Sequence, residues 1–521
     1  MQTVSRDGYG WTEFVDHTGC TDQESFKLFF RRAGAWLALF HCFAASDMHQ
    51  ENMIAAGDHP APIDLEMILQ ATAEEQKIYD LEGQAFNAAI EIIENSVSMV
   101  GLLPTYVRSP ENSIVTVGGV ASDENSKTKR GWQNINSDNM RPWKSTEANN
   151  TSPNLPHVDG HYARFGDHIE DFVSGFEDYK KFLLRQSRGA GQRELLDDFA
   201  GLPVRKIIRP TQFYYLLLQR LKDHRTMHDG VTWAAQMDFM ARLADWENDS
   251  DLTWPLQRAE RAALVGLNVP HFVSPSDGRE IFDPSGISIH TKATSGMDRA
   301  WARVQSFNEQ DLAWQIEVIR QNTSSVSKSA GRASMNIRQL SDVSDTPSGG
   351  TFLAEAEKIA AELASRALHR ERGAAWIGID WLGDSEVSQL IPLGPDLYSG
   401  VCGIAVFLAA HAAVAGCQAV RELALACVLG LRKNLKSRSS ARIARSLGIG
   451  GATGLGSIVY GLTLMAKCLH DDELRADAHV TAELFTDDVI AADKQLDVIG
   501  GSAGGILGLL RLFVIPNLVM C

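Results

Sequence analysis

Three glycine-marked apolar segments near the C-terminus restrict the fold more than any other feature of this chain. "YSGVCGIAVFLAAHAAVAG" opens on Gly400 and Gly403, "IGGATGLGSIVYGLTLMAKCL" carries Gly451 and Gly454, and "IGGSAGGILGLLRLF" carries Gly501 and Gly504. The glycine pairs recur after 51 residues (400 to 451) and after 50 (451 to 501), each time ahead of an apolar run. A period near 50, with about one apolar and one more polar helix per unit, predicts an array of helix pairs or an α/α toroid. The glycines let helix starts approach one another closely.

At 521 residues the chain exceeds what one hydrophobic core usually serves, so two or more domains are expected. A polar, small-residue stretch, "SSVSKSAGRASMN" with "SDVSDTPSGG" over Ser324–Gly350, marks the boundary. Upstream, Gln23–Ala45 reads as a helix, because Phe26, Phe29, Phe30, Ala33, Trp36, Leu37 and Phe40 keep 3- and 4-residue spacing. "HPAPIDLEMIL" reads as a short buried strand, and a second helix is expected over about Glu74–Met99. Apolar periodicity disappears over Ser109–Gly160, which predicts a long loop, and helices resume at His168–Gln186 and Thr211–Leu221.

The formal charge is −16 and the pI about 5.4, which disfavours nucleic acid as the main partner, since neutralising phosphates needs a basic face. The seven cysteines are scattered, with no CxxC pair, and fit a reduced protein. No signal pattern opens the chain, and no apolar run reaches the roughly 18 residues of a membrane span. A cytoplasmic protein without a membrane span is the expectation.

The densest polar motif is "SDMHQENMIAAGDHPAPIDLE", Ser46–Glu66. Magnesium takes oxygen ligands from one or two carboxylates or amides, together with substrate phosphates. Kinase-like folds supply them from a loop Asn and a strand-end Asp, here Asn52 and Asp64. An Asp a few residues ahead of that Asn, Asp47, is placed to accept a hydroxyl proton, and His49 to donate to a transferring phosphoryl oxygen. The Asp47-x-His49-x-x-Asn52 order is closer to lipid kinases than to the HRD order of protein kinases. The competing reading makes Asp47 and Asn52 a cap and a turn residue after a long helix. Spacing alone leaves both open.

The stretch "FFRRAGAWLALFHCFAASDMHQENMIAAGDHPAPIDLE" resembles the dehydratase domain of class II lanthipeptide synthetases, the LanM family. The resemblance continues through "GWQNINSDNM", "NLPHVDGHYARFGDHIEDFVSGFEDYKKFL", "VRKIIRPTQFYYLLL" and "LNVPHF", then into a LanC-like segment, "LGPDLYSGVCGIAVFLAA". It implies an α+β, mostly helical, lipid-kinase-like dehydratase followed by a partial all-α LanC-like α/α toroid. The implied parts are 1–345 for the dehydratase, 346–380 for a linker helix and 381–521 for the first helix pairs of the cyclase. The implied activity is phosphorylation of Ser and Thr in a ribosomally made precursor peptide (leader plus core), using ATP and magnesium, followed by elimination of phosphate. On that resemblance Asp47 and His49 are catalytic, Asn52 and Asp64 hold magnesium, and Glu66 is the acidic residue two positions on at the cofactor site. Arg205 and Thr211, in "VRKIIRPT", match the Arg and Thr of the elimination step. A guanidinium suits the departing phosphate, and a nearby hydroxyl can orient it or assist loss of the α-proton. Without the resemblance, Thr211 reads as a cap for "QFYYLLL".

Compared with that family, the segment carrying a nucleotide-contacting lysine is expected to be missing ahead of "VSRDGYGWTEFVDH". The Cys and His ligands of the cyclase zinc are expected beyond "VIPNLVMC", so Zn2+ belongs only to a full-length cyclase. A fragment, or the product of a split or decayed gene, follows as an expectation. The alternative function is an inactive fragment or a non-catalytic peptide-binding or assembly partner of a complete synthetase, with the missing synthetase segments as a further expected partner.

Overall fold

The computed structural model describes residues 2–7, 9–71, 83–108, 114–121, 127–134, 137–147, 152–187, 194–243, 253–290, 294–323, 349–381, 388–437 and 440–514. The chain divides into two compact units, Met1–Glu75 with Ser96–Lys328, and Gln76–Asn95 with Ser329–Cys521. Helices dominate the described residues. The helix Gly83–Glu94 belongs with the second unit, where Ala85 and Ala89 are buried with Ala375. Composition marks one crossing between units, at 324–350, and has no means of showing this earlier excursion. Residues 324–348 lie outside the described residues, as do 74–82 of the expected second helix.

In the first unit, helix α1 spans Glu24–Cys42 and buries Phe26, Phe29, Phe30, Ala33, Leu37 and Phe40, the stripe that the spacing predicts except for the half-buried Trp36. Each large side chain so buried contributes roughly 1.5–3 kcal/mol. Helix α2, Ile169–Ser187, crosses α1 at unusually close range. A Cβ on Gly34 would lie 1.9 Å from the Phe172 carbonyl oxygen, and one on Gly175 would lie 1.8 Å from that of Arg31. Two missing side chains therefore set the crossing distance.

After α1 the chain reverses through Ala44, in the left-handed region at φ 49°. It then forms a hairpin of strands β1 (Met53–Ala56) and β2 (His59–Pro62), in register Met53↔Pro62. The Trp36 indole N–H donates to the Pro60 carbonyl at 2.9 Å, fixing the hairpin against α1. The strand expected through "HPAPIDLEMIL" thus stops at Pro62, and Ile63–Glu66 are exposed.

Among the described residues of the loop expected over Ser109–Gly160 there are instead antiparallel hairpins, Thr105–Arg108 with Ile114–Val117, Lys127–Gln133 with Arg141–Glu147, and His157–Val158 with His161–Tyr162. Two-stranded ribbons carry no continuous buried stripe, so apolar periodicity could not reveal them. The last one had a legible sign: Asp159 and Gly160, both at positive φ, are the Asp-Gly pair of a two-residue hairpin turn.

A four-stranded antiparallel sheet completes the region around the candidate site, in the order β3 (Pro203–Lys206), β4 (Phe272–Pro275), β5 (Glu280–Phe282), β6 (Ser288–His290). Helices α3 (Thr211–Leu221), α4 (Thr253–Val265), α5 (Gly296–Gln305) and α6 (Glu309–Thr323) accompany it.

The second unit contains the predicted helix pairs: α7 (Val401–Ala415) with α8 (Gln418–Leu435), α9 (Leu455–Leu469) with α10 (Asp472–Ala482), and then α11 (Ser502–Val514). The first helices begin 54 and 47 residues apart (401, 455 and 502), which corrects the even period of about 50. Gly400, Gly454 and Gly501 precede the three helices, whereas Gly451 lies one turn earlier, in the loop. There a Cβ would meet the Gly504 Cα at 2.7 Å. The loops ahead of the helices are joined in series, Leu397 N–H to Ala452 O at 3.2 Å and Ala452 N–H to Ile499 O at 3.0 Å. Cys402, Ala405, Leu408, Val428, Ile458 and Leu462 are among the buried core residues. Among the described residues no helix is long and apolar enough to cross a membrane.

Candidate active site

The loop Ser46–Asn52 alternates between anchoring and presenting residues. Met48 and Met53 are buried, which turns Asp47 and His49 outward. Backbone bonds fix the loop at both sides: Ser46 N–H to Met67 O at 3.0 Å and Met48 N–H to Val100 O at 2.9 Å. Gly101 and Gly119 make room for it, since Cβ atoms there would lie 2.9 Å from Met48 N and 2.5 Å from Met48 O.

Asp47 sits at φ 66°, a conformation that Asp tolerates better than most residues but that still stores strain. The Asn52 side-chain amide donates to the Asp47 carbonyl at 2.7 Å and holds this geometry. His49 Nδ1 accepts from the Glu51 N–H at 3.2 Å, which leaves the proton on Nε2, 3.4 Å from Asp47 Oδ1. The short helical turn Gln50–Asn52 is therefore capped by His49, and neither Asp47 nor Asn52 acts as the cap that the competing reading required.

Asp64 and Glu66 follow β2 on an exposed turn, in which Asp64 Oδ1 accepts the Glu66 N–H at 3.1 Å. The Ile63 N–H donates to Asn52 O at 3.0 Å and keeps this turn beside the loop. Arg205, on β3 far along the chain, forms an ion pair with Glu66. Two more bonds lock the same pair of segments, Gln70 Nε2 to Arg205 O at 3.0 Å and Lys206 Nζ to Ala71 O at 3.3 Å. Arg299 adds a bond from α5 to the Gln70 carbonyl at 2.7 Å.

These groups share one electrostatic field. Burial pushes the Asp47 carboxyl above its ordinary range; His49 opposes this, while Asp64, Glu66 and Glu51 add to it. The Arg205 guanidinium is held above its ordinary value, first by its hydrogen bond to Glu66 against the opposing effect of burial, then by the charges of Glu66 and Asp64. Asp47, His49, Asn52, Asp64, Glu66 and Arg205 thus belong to one polar site.

Thr211 is exposed at the first position of α3, beneath an N-cap Pro210 that offers no side-chain bond. Its hydroxyl does not cap the helix, and no hydrogen bond joins it to Arg205. Sequence reasoning missed what holds this helix start: Glu260 of α4, fully buried, accepts Arg209 Nε at 2.7 Å and the Tyr214 hydroxyl at 2.5 Å. The positions two before and three after Thr211 are tied to one buried carboxylate. A lone Glu on an ordinary helix gave no sequence signal for this role.

Among the described residues no group of three or more His, Cys, Asp or Glu is arranged as a ready metal cage. Magnesium does not need one, because phosphates and water fill most of its shell. The donors suit it: Asn52 uses its amide nitrogen internally and keeps its amide oxygen, and Asp64 adds a carboxylate. The repulsion felt by Asp47 is charge that a cation would relieve. Glu66 differs from these, since its carboxylate is engaged by Arg205.

Comparison with known proteins finds two families, one toward each end of the chain. Residues 1–274 match the family described as "Domain of unknown function (DUF4135)", and residues 391–515 match "Lanthionine synthetase C-like protein". A relative from Lactococcus lactis subsp. lactis, the lacticin 481/lactococcin biosynthesis protein LcnDR2, is 22% identical over 426 residues. That match covers 78% of this chain and 43% of the relative, so the chain spans less than half the length of the protein it resembles. With a DUF4135 region over more than half its length and a lanthionine synthetase C-like region behind it, the chain belongs to the class II lanthipeptide synthetase family.

Proposed function

We propose that the site dehydrates Ser and Thr residues of a ribosomally made precursor peptide, in lanthipeptide biosynthesis, by phosphorylation and then elimination. The observation that supports this most is the joining of the Asp47 loop to Arg205 through Glu66 and Gln70. It supports the reading because one polar site would then serve both half-reactions.

In the first half, the Asp47 carboxylate accepts the proton of a substrate hydroxyl while its oxygen attacks the terminal phosphoryl group of ATP, and ADP leaves. His49 Nε2–H donates toward the transferring group, and its Nδ1 bond to Glu51 keeps it in the donating tautomer. Asn52 and Asp64 would hold magnesium, whose charge would offset that building on the phosphoryl oxygens. In the second half, the Cα–H bond breaks, its electron pair forms the Cα=Cβ bond, and the Cβ–O bond breaks to release phosphate. Arg205 binds the leaving phosphate bidentately, and Thr211, on the helix start tied down by Glu260, orients it or assists proton loss to water. The products are dehydroalanine and dehydrobutyrine.

A lipid-kinase-like fold for the first unit and a LanC-like α/α toroid for the helix pairs belong to the same reading. It is tested by incubating the chain with a precursor peptide, ATP and magnesium, and following peptide mass. The expected result is loss of one water mass per modified residue, absent from Asp47→Asn. Peptide that binds without any mass change overturns the catalytic reading in favour of a non-catalytic peptide-binding partner.

A further inference from the structure

We propose that Glu66 is a built-in stand-in for phosphate: it occupies the Arg205 guanidinium until a phosphorylated side chain displaces it. The inference rests on the phosphate-holding role given to Arg205 above and adds a positioning residue to it.

The geometry separates a fixed frame from a movable pair. The backbone on the Glu66 side is pinned by Ser46 N–H to Met67 O at 3.0 Å and by Leu69 N–H to Phe43 O at 2.8 Å. On the Arg205 side, Gln70 Nε2 takes the Arg205 carbonyl, and β3 is paired in register with β4, Arg205↔Val273. Neither segment can drift from the other. The two charged ends are different: the Glu66 and Arg205 side chains are 40% and 27% exposed. Rotation of the Glu66 side chain alone is enough to vacate the guanidinium.

A carboxylate and a phosphate present the same two-oxygen edge to a guanidinium, so one can replace the other without moving Arg205. At equal distance a phosphate dianion attracts that cation about twice as strongly as a carboxylate monoanion, whereas a neutral hydroxyl has no net charge to compete with. Glu66 also lies among like charges, since Asp47 is affected by both Asp64 and Glu66. Its pairing with Arg205 is what holds a carboxylate there in the absence of phosphate. An ion pair that serves only to join β3 to the turn would not compete with phosphate for the guanidinium.

The test is calorimetric binding of a short phosphothreonine peptide, and of the same peptide unphosphorylated, in magnesium-free buffer. It compares the unaltered chain with Glu66→Gln, Arg205→Gln and the double variant, each checked for unchanged thermal unfolding. Removing the resident anion is expected to tighten phosphopeptide binding about two- to fivefold, the range of a partly exposed ion pair, with no change for the unphosphorylated peptide. Arg205→Gln should abolish the preference for phosphate, and the double variant should match it. If Glu66→Gln binds phosphopeptide no tighter while Arg205→Gln loses the preference, the stand-in role is overturned and the phosphate-holding role of Arg205 stands. Equal phosphopeptide affinity in all four chains overturns both.

Discussion

The polar site of the first unit and the helix array of the second solve the problem of close approach in different ways. In the array, one local device recurs: a glycine ahead of or inside a helix start, and a loop bonded to the next loop, as from Leu397 to Ala452 to Ile499. In the site, each contact is unique and joins segments remote in sequence, such as Glu66 with Arg205 and Arg209 with Glu260. A repeated device spreads its load over many equivalent places. A set of unique ties leaves each residue without a substitute, and that is where single substitutions should matter most.

The largest expected effect tests chemistry at such a tie. Asp47→Asn should lower the rate of peptide phosphorylation by about 10²–10⁴, the usual contribution of a positioned general base. Phosphopeptide mass spectrometry checks this, and near-normal phosphorylation would remove Asp47 from that role. Next is Glu260→Ala, which leaves the buried Arg209 without its partner and should destabilise the first unit by roughly 3–5 kcal/mol in chemical denaturation. A loss below 1 kcal/mol would show that the cluster does not hold the start of α3.

Glycine changes then compare the units directly. Gly175→Ala forces α1 and α2 apart at a contact with no alternative, and about 1–3 kcal/mol should be lost from the first unit. Gly508→Ala, whose Cβ would meet the Gly456 oxygen at 2.4 Å, should cost about the same or less, because neighbouring turns of the array share the adjustment. A larger loss at Gly508 would break the comparison.

A further effect is a pH dependence. Lys180 is buried under the Phe307 ring, its nitrogen 3.1 Å from the ring centroid and 3.4 Å from Asp311 Oδ2. Burial pushes its ammonium down to about 8, against the opposing pull of Asp311. An unfolded lysine titrates near 10.4, so between about 8 and 10.4 the unfolded chain binds more protons than the folded one. Stability from this group therefore rises with pH through that window. Lys180→Met should flatten the rise when unfolding is followed against pH, and an unchanged slope would assign it to other groups.

How much of this was legible in the sequence depends on whether one segment carried the signal. Helices α1, α2 and α3 were readable because each shows a complete apolar face, and the proximity of Asp47, His49, Asn52 and Asp64 because they share one short stretch. The repeat was visible, but its register was not: the unequal steps come from the loops, and Gly451 resembles Gly454 in sequence while occupying a different place. The ion pair of Glu66 with Arg205 spans 139 positions, and Glu260 lies on an unremarkable helix, so no local pattern announces either. The placement of helix Gly83–Glu94 with the second unit is likewise a purely long-range fact.

The central claim is that the phosphoryl-transfer loop and the elimination arginine work as one site. Its most direct test is a time course of precursor-peptide mass with ATP and magnesium, for the unaltered chain and for Arg205→Gln. The account predicts that the unaltered chain ends at peptide short of one water per modified residue, and that Arg205→Gln stalls at peptide carrying added phosphate. Dehydration by Arg205→Gln at the normal rate, with no phosphopeptide accumulating, would contradict it.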